Sequence, residues 1–198
     1  EKDRCRNMSE IVVTINETEV TVLPGQTILE AAEQVGIEIP TLCHHQDLKP
    51  VGACRLCVVE VDGWNKPVAA CSEPVQAGMQ IQTESEALIF QRRLLLEMLL
   101  ADGVFPETTS GSEPLTEFER WVKHYGAKAS IDNQDPSRYS DDSDPNPFIR
   151  VNFNECILCT RCVRACDEVQ GRHVWGVAER GHETHIIAGN ETDLLDAR

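Results

Sequence analysis

The chain of 198 residues has none of the short motifs that mark the common kinds of catalytic centre. There is no G-x-G-x-x-G fingerprint, no P-loop and no acid–base constellation, so no bond chemistry can be assigned to it and no catalytic site of its own is visible. Positive charge is scarce. Lys and Arg number 18 against 33 Asp and Glu, and the formal net charge of -15 disfavours nucleic acid and anionic membrane surfaces as partners. Long apolar runs are missing as well. The most apolar stretch, Ala87 to Ala101, is broken by Gln91, Arg92, Arg93 and Glu97 and falls short of the roughly 20 apolar residues of a membrane span. The N-terminus does not show the basic, apolar, small-residue order of a signal peptide, so a cytoplasmic location is expected. No internal repeat is found. Cysteine alone is abundant, at nine residues. The odd count, the C-x2-C steps and the missing export signal argue against disulfides and for thiolates ligating metal in a reducing compartment.

The order of elements predicts an α+β chain. Glu1 to Glu10 is a polar tail containing the isolated Cys5, expected to be a free thiol. Ile11 to Ile15 and Glu19 to Leu23 read as the strands of a hairpin turning at Asn16 and Glu17, and Pro24-Gly25 ends it. Thr27 is placed to cap a helix over Ile28 to Val35, with Ile28, Leu29, Ala32 and Val35 on one face and Gly36 at its stop. Strand-like runs return at Val58 to Val61, Pro67 to Cys71 and Met79 to Thr83, which makes a small mixed sheet crossed by one helix, a β-grasp. Thr83-Glu84-Ser85-Glu86 fits a capping box ahead of a helix presenting Leu88, Leu95, Leu96 and Leu99, expected to pack back on the sheet. A shorter helix is expected from Pro114 through Trp121 to Tyr125, stopped by Gly126. Residues 127–148 are acidic, contain proline and are almost free of aliphatics, and read as a linker. Phe148 to Phe153 resumes strand character, and His173 to Ala178 with Thr184 to Ala188 predicts a later hairpin.

Eight of the nine cysteines fall into two sets. Cys43, Cys54, Cys57 and Cys71 are spaced C-x10-C-x2-C-x13-C, and Gly52 and Ala53 ahead of the C-x2-C step let the backbone wrap tightly around sulfur. Four thiolates suit a 2Fe-2S cluster, whose potential is about -400 mV in plant-type ferredoxins. Zinc accepts four cysteines too and stays as the competitor, although zinc modules usually pair two C-x2-C knuckles and this set has one. His44 and His45 are surplus to a complete thiolate set and read as hydrogen-bonding or surface residues. Cys156, Cys159, Cys162 and Cys166 form the bacterial ferredoxin run C-x2-C-x2-C-x3-C, suited to a 4Fe-4S cluster. The fourth cysteine of such a run usually serves a second cluster. A second run does not occur before Arg198, so either a continuation carries four more cysteines or Cys166 closes a single cluster; the continuation is the favoured reading. Asp167 replaces the proline that follows the run in ferredoxins, which leaves the bend there open.

Residues 11–83, with IPTLCHHQDLKPVGACRLCVVEV and AACSEPVQAGMQI, closely resemble the N-terminal ferredoxin-like domain of the large iron-sulfur subunit of respiratory complex I. The same domain occurs in the diaphorase iron-sulfur subunit of NAD-reducing hydrogenases and in the catalytic subunit of NAD-dependent formate dehydrogenases. The resemblance implies that the four matching cysteines, Cys43, Cys54, Cys57 and Cys71, bind 2Fe-2S. CVRACDEVQGR followed by VWGVAERGHETHI resembles the molybdopterin-type formate dehydrogenases more than the hydrogenase subunits. One departure stands out. Relatives commonly place H-x3-C-x2-C-x5-C between the helix and the linker, holding another 4Fe-4S cluster, whereas LLADGVFPETTSGSEPLTEFERWVKHYG has no cysteine. That cluster is expected to be absent, with His124 a packing or surface residue and Trp121 in the core.

The expected organisation is a tail (1–10), a β-grasp 2Fe-2S domain (11–83), a helical segment lacking the cluster that relatives hold with one histidine and three cysteines (84–126), the linker (127–148) and a ferredoxin-like 4Fe-4S domain (149–198). The expected function is single-electron relay within a multi-subunit NAD-linked oxidoreductase, most like formate dehydrogenase. Its partners would be a flavin/NAD-binding subunit and a catalytic molybdopterin or hydrogenase subunit or domain. The alternatives are a diaphorase-type subunit of a hydrogenase or NADH dehydrogenase, a free ferredoxin-like carrier that docks transiently, and a zinc-stabilised interaction module.

Overall fold

A computed structural model of the chain describes residues 10–104, 116–129, 148–149 and 151–189. The predicted tail with Cys5, the helix start at Pro114 and most of the predicted linker lie outside these residues. The chain divides into two compact units, one of residues up to Thr41 plus Pro50–Arg92, the other of Leu42–Lys49 plus the chain from Arg93 onward. Among the described residues no helix is long and apolar enough to cross a membrane.

The first unit is built on β1 (Ile11–Ile15) and β2 (Thr18–Val22), an antiparallel pair with Val13 opposite Val20. Alternation drives the pairing: Val13, Ile15, Val20 and Val22 point to the core, and Thr14, Glu19 and Thr21 point away from it. The two residues between the strands, Asn16 and Glu17, have φ of 46° and 70°, the twist that two-residue hairpins need but glycine adopts more cheaply. Asn16 contributes beyond its backbone, since its amide pairs with Thr83, donating to Oγ1 at 2.6 Å and accepting from N–H at 2.8 Å. Glu17→Gly is expected to stabilise the protein by about 0.5–1 kcal/mol, by relieving left-handed strain at a position where glycine fits. An unchanged or lowered urea midpoint would contradict this.

Helix α1 (Ile28–Gln34) follows, with Thr27 and Glu30 forming a capping box and Ile28, Leu29, Ala31 and Ala32 buried. Val35, expected on the buried face, is instead the exposed cap residue. The sheet is completed by β3 (Val58–Val61), β4 (Val68–Ala69) and β5 (Gln80–Gln82) in the order β2-β1-β5-β3-β4. β5 runs parallel to β1 and the other neighbours are antiparallel. This is the β-grasp, with α1 covering the face on which Ile15, Val59 and Ile81 are buried.

Helix α2 (Glu86–Ala101) begins differently from expectation. Ser85 Oγ accepts the Leu88 N–H at 3.2 Å and so caps the helix, whereas Thr83 is buried in its pairing with Asn16. The buried stripe is Leu88, Arg92, Leu96 and Leu100, four residues apart, with Leu95 and Leu99 only half-buried. An arginine therefore occupies a position that the apolar pattern reserves for a leucine.

In the second unit α3 (Glu117–Tyr125) is capped by a Thr116–Glu119 capping box and closed by Gly126 in the left-handed conformation. Phe118, Trp121 and Tyr125 are buried on one face. His124 is exposed and meets the rings of Trp121 and Tyr125 edge-on, at 5.5 and 4.7 Å, as a packing residue. No strand is formed by the described residues of 148–153; Phe153 instead opens a 3-10 turn to Glu155. Helix α4 (Arg161–Arg164) continues as a π-helical turn over Ala165–Val169, and β6 (Trp175–Ala178) pairs antiparallel with β7 (His185–Ala188) as the predicted hairpin.

Candidate functional site

The loop leading into β3 carries Cys54 and Cys57, and the turn after β4 carries Cys71. Main-chain bonds hold the last two near each other. Ala70 N–H donates to the Cys57 carbonyl at 3.1 Å, and the free first turn of α1 donates from Ile28 to Glu73 O and from Leu29 to Ala70 O, both at 2.9 Å. The segment holding Cys71 is thereby pinned between β3 and the N-terminus of α1. Cys57 and Cys71 are each 1% exposed, and Cys54 is half-buried. The Cys57 thiol is pushed far up, first by its hydrogen bond with Cys71, then by burial and by the Cys71 and Cys54 charges. A second thiolate among these three is therefore disfavoured unless a cation shares them.

Backbone conformation marks this loop further. Gly52 and Arg55 both have positive φ, 60° and 55°, so the chain curls in the left-handed sense on either side of Cys54. Gly52 is the residue the sequence pointed to. Arg55 could not be read in advance, because a non-glycine residue takes this conformation only when its surroundings enforce it. Arg92, reaching from α2, is wholly buried, and its guanidinium donates to Leu56 O at 3.2 Å and to Val58 O at 2.9 Å, with Glu84 3.8 Å away. It spans Cys57 from both sides. Cys43 is likewise 1% exposed and lies on the Leu42–Lys49 segment, where its carbonyl accepts from Arg164 Nη2. His45 is exposed and pairs with Asp47, its Nδ1 accepting the Asp47 N–H at 3.3 Å.

The second set is built on the turn Phe153–Glu155, which Asn152 caps by accepting the Asn154 N–H at 3.1 Å. Leu158 and Thr160, on either side of Cys159, have φ of 53° and 58°. The same left-handed curl thus recurs, and it turns the Leu158 N–H towards Cys156 Sγ at 3.4 Å. Cys162 opens towards the surface, yet its thiol is raised, chiefly by loss of water around the sulfur and also by the Cys159 and Cys156 charges. The Cys162 sulfur therefore senses Cys159 and Cys156. Cys166 differs: it is buried in the π-helical turn, accepts the Val174 N–H on its sulfur at 3.2 Å, and its own carbonyl accepts from Arg172 at 3.0 Å. The chain runs on helically through Asp167, where the ferredoxin pattern has its proline, and turns only at Gly171 and His173, both left-handed. Among the described residues no three His, Cys, Asp or Glu side chains converge closely enough for a single metal ion. A cleft of about 500 Å3 between the β1–β2 turn and the β3–β4 loop is lined by Glu60, Asp62, Trp64 and Lys66 and contains none of the cysteines.

Residues 8–86 match the family described as a 2Fe-2S iron-sulfur cluster binding domain, and residues 146–196 match the ferredoxin-like domain of NADH-quinone oxidoreductase subunit 3. Over 199 residues the chain is 33% identical to the mitochondrial NADH-ubiquinone oxidoreductase 78 kDa subunit of Neurospora crassa, covering 94% of this chain and 27% of that protein. It is 34% identical to the NADPH-Fe(3+) oxidoreductase subunit alpha of Geobacter sulfurreducens, covering 91% of this chain and 21% of that one. The chain thus spans about a quarter of the first curated relative and about a fifth of the second. A crystal structure of an NAD+-reducing NiFe-hydrogenase in the H2-reduced state superposes with a TM-score of 0.83 at 34% identity, covering 94% of this chain and 79% of the other. The cofactors are a 2Fe-2S cluster and a 4Fe-4S cluster. The donor groups fit them: none of the eight described cysteines is in a disulfide, the backbone curls left-handed on either side of Cys54 and of Cys159, and main-chain N–H groups point at Cys156 and Cys166 sulfurs. The chain therefore belongs to the family of iron-sulfur subunits that contains the large iron-sulfur subunit of complex I and the iron-sulfur subunit of NAD-reducing hydrogenases.

Proposed function

We propose that the chain is the single-electron relay of a multi-subunit, NAD-linked oxidoreductase of the complex I and NAD-reducing hydrogenase type, acting in the cytoplasm. In this reading residues 11–83 hold the 2Fe-2S cluster through Cys43, Cys54, Cys57 and Cys71. Residues 149–198 hold the 4Fe-4S cluster through Cys156, Cys159 and Cys162, while Cys166 serves either this cluster or one completed by further cysteines beyond Arg198. Residues 84–126 contribute no third cluster, and residues 127–148 link the two domains. The partners would be a flavin/NAD-binding subunit and a catalytic metal-containing subunit or domain.

The observation that carries this reading is the pair of left-handed curls, Gly52 with Arg55 and Leu158 with Thr160, beside thiols that oppose ionisation in one another's company. Such loops present amides to sulfur, and the thiols favour a shared, positively charged core. When bound, each cluster takes up and gives up one electron. The residues of the chain fix how readily it does so: burial of Cys57 and Cys71 keeps water away, amide donors to sulfur favour reduction, and the excess of carboxylates opposes it.

The formate dehydrogenase assignment is the second reading, resting on CVRACDEVQGR and VWGVAERGHETHI. Metal analysis of whatever co-purifies with the chain separates the readings, since nickel points to a hydrogenase and molybdenum to a formate dehydrogenase. The relay itself is tested on the anaerobically purified full chain. Visible absorption, iron and sulfide content, and EPR after dithionite are expected to report two distinct reducible clusters. A colourless chain containing zinc, with no signal on reduction, would leave the interaction-module alternative standing.

A further inference from the structure

Within the second unit one side chain touches segments that are more than a hundred residues apart in sequence. Arg164, half-buried between Cys162 and Cys166, donates through Nη1 to Lys49 O at 2.8 Å and through Nη2 to Cys43 O. The same Nη2 lies 3.4 Å from Cys159 O, and Nε lies 3.3 Å from Thr160 Oγ1. A second clamp runs beside it, with Lys49 N–H donating to Glu168 Oε2 at 2.8 Å. Two side chains flanking Cys166 thus grip the Leu42–Lys49 segment, and one of them contacts the carbonyl of a cysteine from each thiol set.

We propose that Arg164 is a positioning residue that couples the two iron-sulfur sites, one guanidinium holding the Cys43 and Cys159 carbonyls together and placing a single cation beside both. The proposal rests on the relay reading given above. Its physical basis is the guanidinium itself. Planar and permanently charged, it presents several N–H groups in fixed directions, so it reaches several carbonyls at once where an ammonium would serve as a point charge. In a chain of net charge -15 such a local cation favours the reduced form of whatever it stands beside. Standing beside both sites, it raises both potentials together. It also supplies an unbroken path of covalent and hydrogen bonds from one cysteine backbone to the other. The step it assists moves one electron between reduced and oxidised cluster; no bond is made or broken and the guanidinium keeps its protons.

The test is an EPR-monitored redox titration of the full, cluster-loaded chain as wild type, R164M and R164Q. Both variants are expected to lower the reduced-to-oxidised ratio of each cluster at a fixed potential by about tenfold, a shift of about 59 mV for a one-electron couple. R164Q keeps a neutral polar donor on a side chain too short to reach the Nη partners, and serves as the readout where R164M does not retain iron. Unchanged potentials, or a shift confined to one cluster, would overturn the coupling. A wild-type chain with no 2Fe-2S or 4Fe-4S signal would instead sink the relay reading, so the two failures are separate.

Discussion

Serine in place of Cys57 is expected to abolish the 2Fe-2S signal while leaving the 4Fe-4S signal at full intensity. The thiol of Cys57 is 1% exposed and sits in the apolar core with Val59, Ala70 and Cys71, so no outside donor can reach in to replace it. A serine hydroxyl is a far weaker acid than a thiol and a harder ligand, and it cannot take the thiolate's share of an iron-sulfur bond. The loss of ligation is compounded by a polar group in an apolar site, at about 1–3 kcal/mol unless it finds a hydrogen-bond partner. The second thiol set lies in a separate compact unit with its own hairpin and helix. Quantified EPR on the purified variant decides. Disappearance of both signals would contradict two independently assembling sites, and persistence of the 2Fe-2S signal would remove Cys57 from the ligand set.

How much of this is legible in the sequence depends on the range of the information needed. The β1–β2 hairpin, β3 and the Thr27 cap are readable because alternation, turn residues and a four-residue capping pattern are all local. The grouping of eight cysteines into two sets is likewise local, read from spacing alone, and their ligand roles are part of the proposal given above. The cap of α2 lies two residues beyond the one its capping pattern suggests, because Thr83 and Ser85 are equally good caps by composition. Only the distant Asn16, sixty-seven residues away, withdraws Thr83 to another partner. The strand expected over Phe148 to Phe153 fails for a related reason. Its β-branched and aromatic residues mark an extended chain, but no neighbouring strand is described there, and a turn into Cys156 takes its end. At the candidate sites the thiols are legible and the residues that shape them are not. Arg55, Leu158 and Thr160 carry no mark of the left-handed conformation, and Arg164 looks like any exposed helical arginine until its carbonyl partners are known.

Arg92 is the sharpest case, and replacing it should cost the protein stability on the scale of a core truncation. The apolar pattern of α2 counts it among the polar residues that interrupt Ala87 to Ala101, yet it is 0% exposed between Leu88 and Leu96. Burying a guanidinium is costly, and the ion pair with half-exposed Glu84 at 3.8 Å is too loose to offset it alone. What holds Arg92 inside is the pair of carbonyls on either side of Cys57, Leu56 O and Val58 O, where the backbone curls out of the ladder to carry the cysteines. Arg92→Met keeps the helix propensity and much of the volume but leaves both carbonyls short of a donor. A loss of about 2–6 kcal/mol follows, at roughly 1–3 kcal/mol for each of the two carbonyls left without a partner. Urea unfolding read in both variant and wild type gives the magnitude, and the 2Fe-2S spectrum gives the mechanism. If Arg92 fixes the Cys54–Cys57 loop, the variant broadens or weakens that signal while the 4Fe-4S signal is unchanged. Arg92→Lys retains the charge but satisfies one carbonyl rather than two, and so should fall between them. Wild-type stability in the methionine variant would mean that the two carbonyls find other partners and that Arg92 is packing alone.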